Sequence, residues 1–297
     1  MRFVAAPAAE QVHTTLRRSW QCNPGPCIPL GRGAWQVEIN HGQFVIKWVA
    51  SRRRSGFEAG LAAAECVDTS GVGAGGAIRA ADGAVTVTEG DGVVALLRLV
   101  PGRPLLPDDP IDQQWWGGTL GSVHRTLRRF THPDLVRFDA AAVPHEGPHL
   151  ALEPWLQPAI RDTAATLRRV MVTDQLTYGV LHGDPQPAHF RLDPGTGALG
   201  VGGWATAGVG PLLSDLAAAV LAAGGPEAAV DLIEAYLRSS LVPPDEAEAV
   251  LPVLLCRAVA LAAAESAARI YEDGGTPRDH AELTRLAATY AELSASL

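Results

Sequence analysis

The sequence predicts an α+β protein of two lobes, a small β-rich one over residues 1–100 and a larger, mostly helical one over 101–297. Three observations carry that reading. Between Trp35 and Val100, short runs of β-branched and aromatic residues alternate with His-Gly and Asp-Gly turns. Val100-Pro101-Gly102-Arg103-Pro104, followed by Pro107-Asp108-Asp109-Pro110, then breaks the pattern as a linker. Beyond it, long Ala- and Leu-rich stretches dominate the chain.

Trp35 to Ile39 alternates apolar and polar residues, Asn40-His41-Gly42 supplies turn chemistry, and Gln43 to Val49 resumes strand-like composition. Together these predict a hairpin with Lys47 near the end of its second strand. Gly31 and Gly33 lie just ahead of it, where a flexible loop could fold over a ligand. Ser55 to Cys66 predicts a helix with Glu58 in its first turn. Segments 77–80, 84–88 and 93–100 predict three further strands, giving a sheet of about five strands with one helix. In the second lobe, helices are expected at 111–130, 156–176, 211–223, 226–239, 244–271 and 278–296. Tyr178 to Trp204 reads as short strands and turns set among them.

Composition narrows the function classes. A chain of 297 residues, 47% apolar and 19% charged, buries a sizeable core. The opening MRFVAAPAAEQVH lacks a basic start followed by an apolar run, so no signal peptide is expected. The best apolar stretch, Leu212 to Ala223, is short and contains Asp215, which predicts no membrane span and a cytoplasmic protein. Cys22, Cys27, Cys66 and Cys256 are too few and scattered for a disulfide scaffold; Cys22 and Cys27 could pair or, with His13, begin a zinc site. Net charge is −8, divided as +2 over residues 1–100 and −10 over the rest. That balance argues against nucleic acid as a partner and suits a cationic acceptor, either a small molecule or a peptide.

Of the 24 basic residues only Lys47 is a lysine. A compact ammonium on a slim stem differs from a planar guanidinium, and one kept alone suggests a place where only the ammonium serves, such as a nucleotide phosphate. The segment Leu181-His182-Gly183-Asp184-Pro185-Gln186-Pro187-Ala188-His189-Phe190-Arg191-Leu192-Asp193 is the other informative stretch. Its His-Gly-Asp opening, Lys47 on a strand, Glu58 on the following helix, Val94 to Pro104, and Pro211 to Ala217 with Asp215 together resemble the aminoglycoside phosphotransferase and choline kinase family. The likeness runs from about residue 30 to 220.

The resemblance implies a protein-kinase-like fold, ATP or GTP as the phosphate donor, and a catalytic loop over 182–193. It implies that Lys47, oriented by Glu58, grips the nucleotide phosphates under the Gly31/Gly33 loop, and that Leu97 and Leu99 lie beside the adenine. Asp184 would be the base for the acceptor hydroxyl, with His182 and Asp215 supporting its loop. Two positions depart from the family pattern. His189 stands where an Asn is expected, and Gly203, in Gly200-Val201-Gly202-Gly203-Trp204, stands where the metal-binding Asp belongs. Magnesium favours hard oxygen ligands and glycine supplies none, so Asp184, Asp193 and His189 are left as candidates to hold Mg or Mn. Two function classes follow. One is a divergent phosphotransferase acting on a hydroxyl of an aminoglycoside, amino alcohol, sugar or biosynthetic peptide. The other is a pseudokinase scaffold binding a nucleotide, a peptide or a partner protein.

Overall fold

The computed structural model describes residues 6–31, 33–142, 146–171 and 176–295. It begins with a helix that the reading above lacks, α1 (Ala9–Ser19), whose Val12, Thr15 and Leu16 recur at helical spacing and are buried. Strands β1 (Ile28–Gly31), β2 (Ala34–Ile39) and β3 (Gly42–Ala50) follow, then a 3-10 turn (Ser51–Arg53) and α2 (Arg54–Asp68). Strands β4 (Ala77–Ile78), β5 (Val87–Glu89) and β6 (Gly92–Arg98) complete an antiparallel sheet in the order β1-β2-β3-β6-β4, with β5 also on β6. The sheet therefore has six strands and two helices in place of five and one. The extra strand, Ile28-Pro29-Leu30-Gly31, is exposed throughout, so it lacks the alternation that marks a half-buried strand. Asn40 and His41 both have positive φ, which gives the β2–β3 hairpin the tight turn its sequence predicts.

The linker pairs with the second lobe. Its β7 (Arg103–Pro104) lies antiparallel to a strand of the loop-rich insert, and Arg103 forms two bonds with buried Asp112 in α3 (Pro110–Thr126). Asp109 caps α3 by accepting from the amides of Ile111 and Asp112, both at 2.9 Å. Next come β8 (Val136–Arg137), α4 (Leu156–Met171), β9 (Tyr178–Leu181), β10 (Phe190–Leu192), β11 (Leu199–Val201) and β12 (Gly208–Pro211). The chain ends in α5 (Leu213–Ala222), α6 (Val230–Ser239), α7 (Pro244–Asp273) and α8 (Pro277–Ser294). The helix expected over 156–176 is described only to Met171, and residues 172–175 and the opening five fall outside the described residues.

One expectation is corrected. The apolar stretch that passes the length and composition test for a membrane span is Pro244–Glu272, with mean hydropathy 1.8, not Leu212–Ala223. Two-thirds of its most apolar part (67%) is buried, and α7 packs on α4, α5 and α8, so the test is met here by a core helix. The polar residues Glu246, Arg257 and Ser266 had masked it as an uninterrupted run. Cys22 and Cys27 are unbridged and pack against the cluster around Val12 and Leu16; His13 donates from Nε2 to the Gly25 carbonyl at 3.0 Å.

Candidate active site

The two lobes enclose a cavity of about 1970 Å³. A single small ligand fills roughly 300–1,000 Å³, so this space has room for more than one. Gly31, Gly33, Lys47, Leu97 and Leu99 line it from the sheet, and Asp184, His189 and Gly203 from the helical lobe. The strand register explains the upper wall: Lys47 on β3 lies opposite Ala34 on β2 and Ala95 on β6, two small neighbours that leave room around a long stem. Glu58 is not among the lining residues; its carboxylate accepts from Arg54 Nε at 3.0 Å and from the Thr86 hydroxyl. Asp193 is likewise outside the lining. It closes its own turn by accepting from the Gly195 amide at 2.8 Å, and that bond holds its carboxyl below the usual range.

The loop after β9 is held from beneath by a buried network. Asp215, in the first turn of α5, accepts from the backbone amides of His182 (2.6 Å) and Gly183 (3.0 Å). His124 of α3 donates from Nε2 to the same carboxylate at 3.0 Å, and the Tyr236 hydroxyl donates to His124 Nδ1 at 2.9 Å. Burial raises the Tyr236 pKa, which keeps that phenol a donor. His182 donates from Nε2 to the Gly202 carbonyl at 2.7 Å and accepts the Asp184 amide at Nδ1 (3.3 Å). Burial pushes its pKa down, so the ring is neutral, as that pattern of one donor and one acceptor requires. Gly183 has φ +81°, and a Cβ there would run into the Thr206 carbonyl. This is why glycine sits between His182 and Asp184. Trp116 completes the support by donating to the Pro185 carbonyl at 3.1 Å.

Sequence reading missed Trp116 and Tyr236 as supports. Only the packing of α3 against the loop and α6 reveals their polar ends. It also missed Arg52 and Arg53, which line the cavity, with Arg53 Nη2 donating across to the Ala205 carbonyl at 3.3 Å. The signal was there in Arg52-Arg53-Arg54, but a run of like charges more often forms a solvated connection.

The two departures from the family pattern meet in space. His189 donates from Nδ1 to the Asp184 carbonyl at 2.8 Å, and its ring lies over Gly203. A Cβ on Gly203 would stand 2.6 Å from Nδ1 and 2.7 Å from Cγ. The imidazole thus occupies the volume a side chain at 203 would need. No group of three or more His, Cys, Asp or Glu that could hold a metal is present among the described residues. Of the two positions where the family pattern places magnesium ligands, one carries an imidazole and the other no side chain, so neither supplies an oxygen from its side chain.

The phosphotransferase enzyme family model, APH, matches residues 34–251, and the chain belongs to this family. Solved structures share its fold. The microcompartment-associated aminopropanol kinase is 19% identical with a TM-score of 0.73, covering 97% of each chain. Amicoumacin kinase hAmiN, in complex with AMP-PNP, Ca2+ and Ami, is 14% identical with a TM-score of 0.71, covering 98% of this chain and 94% of that one. The aminoglycoside phosphotransferase of Alicyclobacillus acidocaldarius is 13% identical with a TM-score of 0.69, covering 99% and 97%. No curated protein matches the chain in sequence.

Proposed function

We propose that this chain is a cytoplasmic phosphotransferase that moves the γ-phosphoryl group of ATP or GTP to a hydroxyl of a small molecule. The supporting observation is the convergence of Lys47, the sole lysine, with Asp184 on one cavity, the Asp184 loop being pinned by Asp215. In this reading the Lys47 ammonium binds phosphate oxygens, with Arg52 and Arg53 adding positive charge at the same wall. The Asp184 carboxylate takes the acceptor proton as the acceptor oxygen bonds to phosphorus. The bond from the γ-phosphorus to the bridging oxygen breaks, and the nucleoside diphosphate leaves. A nucleotide triphosphate donor is what favours the cytoplasm.

His189 and Gly203 favour a second reading, a nucleotide- or peptide-binding scaffold without turnover. In place of two oxygen ligands they present an imidazole and bare backbone. A thermal-shift titration with ATP, run with magnesium, with manganese and with chelator, tests both readings when paired with a radiolabelled transfer assay on an alcohol panel. A shift lost in Lys47→Met together with label transfer supports the enzyme. The same shift without transfer to any acceptor supports the scaffold. The absence of a shift under all three conditions rejects the enzyme and supports a scaffold whose cleft takes no nucleotide.

A further inference from the structure

Beyond Asp184 the cavity continues between α5 and α7, where Ser214, Ala218, Leu254, Arg257 and Ala258 form its wall. Arg257 is out of keeping with its surroundings. It is the only charged residue between Ala249 and Ala264, in an otherwise apolar run of α7, and it is 3% exposed. Nη2 donates to the Asp139 carbonyl at a long 3.4 Å. The Nε and Nη1 atoms are buried without an acceptor among the described residues. Burial is the largest influence on it, lowering its pKa; the Asp139 carboxylate favours its charge and Arg168 opposes it. Ser214 Oγ, on the same wall, is also buried without a partner.

A buried guanidinium without a hydrogen-bonded counter-charge is destabilising relative to an apolar side chain of the same size. Among the described residues the Asp139 carboxylate favours the charge, and burial outweighs it. Arg257 and Ser214 both line the cavity that also holds Asp184. We propose that Arg257 and Ser214 anchor an oxyanion, a carboxylate or a phosphate group, carried by the acceptor whose hydroxyl faces Asp184. The hydroxyl end of this inference rests on the phosphotransfer reading; anion binding at Arg257 does not. It also reverses what net charge suggests. The helical lobe is acidic in bulk, yet the charge left without a partner inside it is positive.

The test compares wild type with Arg257→Met and Arg257→Gln by thermal unfolding at constant ionic strength. The probes are sodium acetate, inorganic phosphate and, as the neutral match, acetamide. Wild type should be stabilised at least threefold more by one oxyanion than by acetamide, and acetate against phosphate tells the two chemistries apart. Both variants should lose that difference while keeping the wild-type ATP shift, and Lys47→Met should keep the difference while losing the ATP shift. Without ligand, Arg257→Met should melt a few degrees higher, because an unpaired buried charge is gone. A lower melting temperature or failure to fold in the Met variant makes Arg257 structural and overturns the proposal. So does an oxyanion effect that is absent in wild type or survives in the Gln variant. If oxyanions bind as expected but no label is transferred, the anchor stands and the phosphotransfer reading falls.

Discussion

At Gly203 the backbone holds φ at +88° and the His189 ring fills the adjoining space, so the two positions depart from the family pattern together. An aspartate at 203 alone meets both the left-handed backbone and the imidazole. Gly203→Asp is therefore expected to lose about 1–3 kcal/mol in stability and to gain no metal response. Adding His189→Asn removes the ring and should recover part of the loss; magnesium should then enlarge the ATP-induced thermal shift, which denaturation curves with and without the ion would read. Asp215 carries a different expectation. It receives three buried donors, and an amide there accepts at one oxygen while turning its own N–H groups toward another donor. Asp215→Asn should cost on the order of 3 kcal/mol in urea unfolding. His182 sets a pH dependence. Its folded pKa lies below the unfolded value of roughly 6.5, so the unfolded chain binds the proton more readily. Its share of stability is complete above that value and is lost as pH falls through the unfolded pKa toward the folded one. The slope of melting temperature between pH 7.5 and 5 should be shallower in His182→Gln; an unchanged slope would show that other groups set it.

Among the elements, α3 and α6 approach closely because α3 presents Gly117 and Gly121 to its partner. A Cβ at Gly117 would overlap the Leu232 carbonyl, and one at Gly121 would overlap the Ser239 hydroxyl. Neighbouring Gly118 meets nothing within 4 Å. Alanine raises helix propensity by up to about 1 kcal/mol at either position, while overpacking costs roughly 1–3 kcal/mol. Gly118→Ala should therefore stabilise the protein slightly and Gly117→Ala should destabilise it, a reversal of sign that paired denaturation curves would show. The contact matters for the site as well as the fold. His124 and Trp116 sit on α3 and Tyr236 on α6, so separating these helices would also loosen the loop that carries Asp184.

At the scale of the whole molecule, contacts between the lobes include the bridge from Gly73 to Gly200 with the Val201 amide donating to the Gly73 carbonyl, and α2 against α3 and the 204–206 turn, while the linker strand β7 pairs with β10. A ligand between them would add contacts at the cavity wall and leave the far side of the bundle unchanged. ATP should accordingly slow amide exchange in residues 33–50 and 97–104 and have little effect on α6, as hydrogen exchange with mass readout would show. Equal protection throughout would instead indicate global stabilisation by mass action.

The β2–β3 hairpin, the positions of α2 and α3, the five later helices and the loop from His182 to Asp193 were all legible from the residues. Each rests on local chemistry: alternation, turn residues, caps and helical periodicity act over a few neighbours, and those neighbours are adjacent in the chain. β1 escaped notice because an exposed strand has no alternation to read, and α7's burial because a few polar residues broke up its apolar run. What tertiary structure alone decided are relations between distant positions. His189 lies over Gly203, His124 reaches Asp215 and Tyr236 reaches His124 from two other helices, Glu58 turns to Thr86, and Arg257 is buried with two nitrogens that have no acceptor among the described residues. Sequence by itself determined which groups the chain possesses; the packing of its helices and sheet determined which of them are left facing one another, because burial and pairing are properties of neighbours in space.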